Sequence, residues 1–120
     1  MPRRAKRLAE YCEDRLGDGL RAVGYHSDTA IEVVYVREDL KEKYPPDRVE
    51  RFIDASRSVH RDVAGMDDRM GTPEASLHML EEGLIIQFHL PDDDVVFLSM
   101  DRDVGRNFTR FIRECIEEMS

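Results

Sequence analysis

Several residue types are scarce in this chain, and each scarcity excludes a class of protein. Of its 120 residues none is Trp, two are Cys and three are Lys. Two cysteines cannot supply the disulfide framework that small secreted domains use in place of a large core. No apolar run approaches the roughly 20 residues needed to cross a bilayer. We therefore expect a chain without a membrane-spanning helix.

The N-terminal region lacks the apolar stretch of a secretory signal. Residues 1–7 (MPRRAKR) are basic, but residues 8–14 (LAEYCED) carry three acids where that stretch would lie. This pattern predicts a cytoplasmic protein. Cys12 and Cys115 each fall on the apolar stripe of a predicted helix, which favours two small buried hydrophobes. A disulfide between the two helices remains an alternative.

Positive charge is also scarce. The chain has 18 Lys and Arg against 26 Asp and Glu, a net charge of −8. Arg outnumbers Lys by 15 to 3, and 14 residues are Asp. An acidic, Lys-poor surface keeps a protein hydrated in concentrated salt, so we predict a halophilic protein, although a GC-rich genome also favours Arg over Lys. The one basic cluster, at residues 3–7, is balanced by acids in the same predicted helix, so the charge pattern argues against nucleic-acid binding.

Motifs that carry chemistry are absent from the sequence. It contains no GxSxG, no Walker loop, no GxGxxG, no HExxH and no CxxC. His78 and His89 fall on neighbouring predicted strands, and a two-residue turn at Glu82-Gly83 would place them on one face, opposite Gln87 and Ser76. Zinc needs three or four ligands, and no third one is indicated. We predict no enzyme, no cofactor and no metal site.

Hydrophobic periodicity predicts the order α-β-β-α-β-β-β-α within a single domain, 1–120. The predicted helices span about 3–16, 47–63 and 104–119, and the predicted strands span 20–26, 29–37, 75–80, 84–90 and 95–100. This order predicts an α+β fold with a five-stranded, largely antiparallel sheet. The three helices must cover the faces of this sheet. Phe111 and Ile112 should then be buried against the sheet, near Leu8 and Cys12.

This element order resembles the roadblock, longin and profilin-like α/β sandwiches. The resemblance implies that the first and last helices lie on one face of the five-stranded sheet and the middle helix on the other. The Gly-rich hairpin typical of roadblock proteins is missing, because residues 26–29 read HSDT. Residues 12–18 (CEDRLGD) and 34–40 (VYVREDL) also resemble a family of short haloarchaeal proteins of unknown function. That resemblance implies no activity. The roadblock-like order implies, by analogy only, a scaffold or regulatory role whose partner is a small GTPase or another regulatory protein.

Apolar residues on both faces of the predicted meander require cover. One face collects Ala75, Leu77, Met79, Ile86, Phe88 and Leu90, and the other collects Leu80, Ile85, Val96, Leu98 and Met100 around His78, Gln87 and His89. A homodimer that joins the 75–80 edge strand and the middle helix would cover them. Its predicted interface residues are Val49, Phe52, Ile53, Val59, Ser76, His78 and Leu80. We expect a small non-enzymatic protein–protein interaction or regulatory module. The alternative is a sensor that binds a small metabolite between sheet and helix.

Overall fold

Three helices and five strands make up the computed structural model, which describes residues 3–27, 30–42, 46–65, 70–71, 73–90 and 94–119. In chain order they are α1 (Arg3–Leu16), β1 (Leu20–His26), β2 (Ile31–Val36), α2 (Pro46–Ala64), β3 (Ala75–Met79), β4 (Leu84–His89), β5 (Val95–Met100) and α3 (Arg106–Met119). The predicted fold class is confirmed. Residues 91–94 (PDDD) are predicted to form a solvated polar turn, and of these only Asp94 belongs to the described residues.

The five strands form one sheet in the order β2-β1-β5-β4-β3, and every neighbouring pair is antiparallel. β5 lies at the centre and is buried at five of its six positions. Its apolar sequence suits a strand that is covered on both faces. β2 and β3 form the two edges.

α1 covers one face of the sheet with small side chains. Ala5, Ala9 and Cys12 are buried and lie three or four residues apart, so the helix approaches the sheet closely. Their partners in this core are apolar residues of three strands: Leu20, Val23 and Tyr25 of β1, Leu84 of β4, and Val96, Leu98 and Met100 of β5. Each large aliphatic side chain buried here contributes about 1.5–3 kcal/mol.

Two sequence-based face assignments are wrong. Strict alternation would place Leu20 with Ala22 and Gly24, but the register between β1 and β5 shifts between Leu20 and Ala22, which brings Val23 and Tyr25 into the core. The apolar residues Val96, Leu98 and Met100 were expected beside the histidines. They face α1 instead, because they pair with Phe88, Ile86 and Leu84.

α2 covers the opposite face. Its Ile53 is fully buried, and two of its aromatic rings contact strands β3 and β4. Phe97 of β5 lies across Gly24 of β1 on this face, where a Cβ on the glycine would come within 2.1 Å of the ring atom Cζ. Only glycine fits at that position.

The predicted burial of Phe111 is wrong, because its side chain is 61% exposed. α3 begins beside Leu84, which belongs to the α1 face, and the helix buries Thr109 and partly buries Ile112. Phe111 is rotated about 100° from Ile112 and about 200° from Thr109 around the helix. α3 therefore packs against the rest of the domain with the side that carries Thr109 and Ile112, and the other described residues of its apolar stripe are left exposed. Cys115 is exposed as well, so the expectation of two buried cysteines holds only for Cys12.

Candidate interaction surface

β3 presents an unpaired strand edge. Within the described part of the chain its neighbour in the sheet is β4, and its other side meets no strand. The amide of His89 donates to the carbonyl of Glu74, and the amide of Leu80 donates to the carbonyl of Gly83. In an antiparallel ladder such pairs recur at every second residue, so Ser76 and His78 also bond to β4. The backbone groups of Ala75, Leu77 and Met79 therefore point outward.

The register between β3 and β4 differs from the predicted one. Ser76 lies opposite Gln87, and His78 lies opposite Ile85. β3 ends at Met79 and β4 begins at Leu84, and the hydrogen bond between Leu80 and Gly83 continues their pairing. The tip of the hairpin is therefore Glu81-Glu82, one residue before the predicted turn at Glu82-Gly83. A shift of two residues keeps every side chain on its face, and the prediction that His78 and His89 share a face is confirmed.

An exposed apolar line on α2 runs beside this edge. Phe52 contacts His78 of β3 edge to face, with ring centroids 5.5 Å apart. Val59 and Val63 follow Phe52 by seven and eleven residues, close to two and three helical turns, so the three share one side of the helix. Val59 is 53% exposed and Val63 is 41% exposed. We call this line, the exposed Leu80 and the outward edge of β3 the β3 margin. Leu77 lies at the centre of that edge, but its side chain pairs with Ile86 and projects from the face that α1 covers.

The structure distributes the seven predicted interface residues between core and surface. Val59 and Leu80 are exposed, Phe52, Ser76 and His78 are partly buried, Ile53 is fully buried, and the side chain of Val49 lies outside the described residues. Leu77 and Val63 are exposed too but are not among these seven, although Val63 falls on the same predicted apolar stripe of the middle helix.

A second exposed apolar surface lies on α3. Phe111, Cys115, Ile116 and Met119 are all exposed, and Met119 reaches 79%. Their spacing puts them on one side of the helix. Sequence reasoning identified this stripe but assigned it to the core.

Histidines and buried polar groups line the contact between α2 and the sheet. His26 of β1 and His89 of β4 both pair with Val95 of β5, so they stand in one row across the sheet. The ring of His60 on α2 stacks on His89 with centroids 3.6 Å apart and planes 16° from parallel. The Nε2 atom of His89 is 3.0 Å from the hydroxyl oxygen of Ser76. Burial lowers the pKa of His89, and the positive charge that His60 can carry lowers it further.

Gln87 occupies the centre of this polar layer. Its side chain is fully buried, and neither atom of its amide has a hydrogen-bond partner among the residues that the structure describes. An unsatisfied buried amide costs about 1–3 kcal/mol. Such a group in a native protein calls for an explanation, which water or a ligand can provide.

The sequence profile of the family described as "Domain of unknown function (DUF7522)" matches residues 6–120. The chain belongs to the DUF7522 family. No curated protein and no solved structure matches it significantly.

Two kinds of feature are missing from the described residues of this DUF7522 domain. Among them, no three or more His, Cys, Asp and Glu side chains are grouped as a metal site requires. The described helices include none that is both long and apolar enough to cross a membrane.

A charged cleft opens at the other end of the sheet of this DUF7522 domain, where α3 begins. Its lining includes Glu81, Asp101 and Arg106. Arg21 and Arg37 both bind Asp101, at 3.3 and 2.9 Å. Hydrogen bonds to Asp39 and Asp101 raise the pKa of Arg37 above its usual value. The network ties the ends of β1, β2 and β5 together, and we assign it a structural role.

Proposed function

We propose that this domain is a small non-enzymatic interaction module that functions as a homodimer joined through the β3 margin. The observation that carries this proposal is the open β3 edge flanked by the exposed line of α2. An exposed strand edge is a template for pairing with another chain, and apolar side chains beside it gain by being covered.

A second copy fits this surface because a two-fold axis brings identical edges together in antiparallel orientation. With the axis at Leu77, Ala75 of one copy would lie opposite Met79 of the other. The outward backbone groups would then bond in pairs, as they do between β3 and β4. The same axis brings the two α2 lines towards each other, since α2 lies over β3.

The cellular setting of the proposed dimer follows from composition and resemblance. The net charge of −8 and the excess of Asp suit a cytoplasm rich in salt, which is the setting of the haloarchaeal proteins that the sequence resembles. The roadblock-like element order suggests a small GTPase or another regulatory protein as a further partner, by analogy alone.

The experiment measures particle mass by light scattering in molar KCl. Leu77→Pro removes an outward amide at the centre of the edge without removing a bond to β4, and Leu77→Thr is its matched control because it keeps the amide. We expect a dimer for the wild type and for Leu77→Thr, and a monomer for Leu77→Pro. Circular dichroism verifies that both variants fold.

A second matched pair tests the contribution of α2. Val59→Asp places two like charges near the proposed axis, whereas Ser58→Asp adds the same charge to an exposed position about 100° away around the helix. We expect Val59→Asp to dissociate the dimer and Ser58→Asp to leave it intact. Equal effects of the two substitutions on the dimer would show that α2 does not contribute to the interface.

The sensor alternative is supported by a different observation, the buried amide of Gln87. A metabolite with both a hydrogen-bond donor and an acceptor, held between α2 and the sheet, would satisfy it. The chain purified under native conditions would then release a small molecule on denaturation, which mass spectrometry detects. Purified protein that carries none and behaves as a dimer favours the interaction module.

A further inference from the structure

The stacked rings of His60 and His89 connect α2 to the sheet. His60 lies on the helix and His89 on β4, and their planes are nearly parallel at 3.6 Å between centroids. Both side chains are partly buried. Two neutral imidazoles pack well in this arrangement, but two imidazolium ions would place like charges face to face at a partly buried contact.

Some of the charged groups around the stack favour a positive charge on its rings, and others disfavour it. Arg57 and Arg61 of α2 line the same cleft as the two rings and disfavour added positive charge. Asp94, just before β5, also lines this cleft and favours it, while accepting a hydrogen bond from the hydroxyl of Tyr25. His26 on β1 and His78 on β3 also lie on this face of the sheet.

The hydrogen bond between Ser76 and His89 does not decide the protonation state. The serine hydroxyl can donate to a neutral Nε2 or accept from a protonated one. Burial and the facing ring of His60 therefore determine the direction of the shift, and both lower the pKa of His89.

We propose that the His60–His89 stack makes the packing of α2 against the sheet depend on pH. The packing is stable at neutral pH and is weakened when one of the two rings gains a proton. The inference does not depend on self-association. Because its pKa is lowered by folding, His89 binds fewer protons in the folded state than in the unfolded state. The free energy of unfolding therefore rises with pH. The contribution of the stack to folding stability is complete above the ordinary histidine pKa of about 6.5, and it declines as the pH falls below that value.

Thermal unfolding between about pH 5 and pH 7.5 tests the proposal, because carboxylates titrate mostly below this window. Molar KCl screens distant charges and leaves the partly buried pair effective. We expect the midpoint of the wild type to fall on acidification. His60→Gln, which removes the facing ring, should show a smaller fall. The matched control, His78→Gln, keeps the stack and should follow the wild type.

Nuclear magnetic resonance on the wild type gives a second test that needs no variant to fold. The ring of His89 should titrate below pH 6.5, and amide shifts of residues 52–63 in α2 should move with it while those of α1 remain constant. A His89 midpoint at or above 6.5, or parallel melting profiles for the wild type and His60→Gln, would overturn the proposal. Because both measurements apply to a monomer as well as to a dimer, their failure is distinct from failure of the proposed function.

Discussion

Replacing Gln87 with Met tests whether the buried amide is unsatisfied. Met is similar in length and unbranched, so it fills the site with little cavity, and a swap of this kind costs less than about 1.5 kcal/mol in packing. Removing an unpaired buried amide recovers about 1–3 kcal/mol. We therefore expect Gln87→Met to be neutral or to stabilise the fold by up to about 3 kcal/mol.

Urea unfolding at neutral pH, followed by circular dichroism, measures this change. A gain of 1 kcal/mol would also raise the melting midpoint by about 4 °C for a domain of this size. Ile85→Met is the matched control, because Ile85 lies two residues away on the same face of β4 and carries no polar group. It reports the packing cost of a methionine in this layer.

A destabilisation by Gln87→Met that exceeds that of Ile85→Met by more than about 1.5 kcal/mol would refute the reasoning, because the amide would then have a partner. That partner would be an ordered water or a ligand. The result would therefore also strengthen the sensor alternative over the interaction module.

Three further predictions concern the surface and the core. Repulsion among surface acids should make the melting midpoint higher in molar KCl than in dilute buffer, and an unchanged midpoint would leave only a genomic bias towards Arg. Gly24→Ala should cost about 1–3 kcal/mol in urea unfolding through its clash with Phe97, and Phe97→Leu should relieve part of that cost in the double variant; additive effects would contradict the close contact. Phe111→Ala should lower the free energy of unfolding by less than about 1 kcal/mol, because the ring is 61% exposed. A loss of about 3–5 kcal/mol would contradict this exposure and indicate a buried ring.

The sequence predicted the elements well because their periodicity is strong. β1 and β5 have the predicted bounds, 20–26 and 95–100, and α2 extends the predicted helix by one residue at each end. β-branched residues and the change from alternating to helical spacing carry this information locally. Loop residues such as Gly17, with a φ of 53°, mark the end of α1 as expected.

The faces and contacts were harder to predict because they depend on register and on what packs against a stripe. A shift in β1 reverses its alternation, and the hairpin tip at Glu81-Glu82, one residue before the predicted turn, alters the pairing of His78. The apolar stripe of α3 specifies which residues avoid water but not what covers them, so Phe111 was assigned to the core. A proline at Ser76 was the natural probe of the edge from sequence alone. The structure places that amide in the ladder with β4, and Leu77 takes its place as the probe.

The stack of His60 on His89 had no signal in the sequence. The two residues are 29 positions apart, and no motif links them. Their contact follows from the placement of α2 over β3 and β4, which pattern reasoning assigned only to a face of the sheet.

Analytical ultracentrifugation of the wild-type chain in molar KCl, at high micromolar concentration, tests the central claim most directly. The account predicts a particle of two 14.0 kDa chains. It also predicts that Leu77→Pro, folded by circular dichroism, sediments as a single chain. A wild type that remains a monomer at this concentration would contradict the homodimer and favour the single-chain sensor.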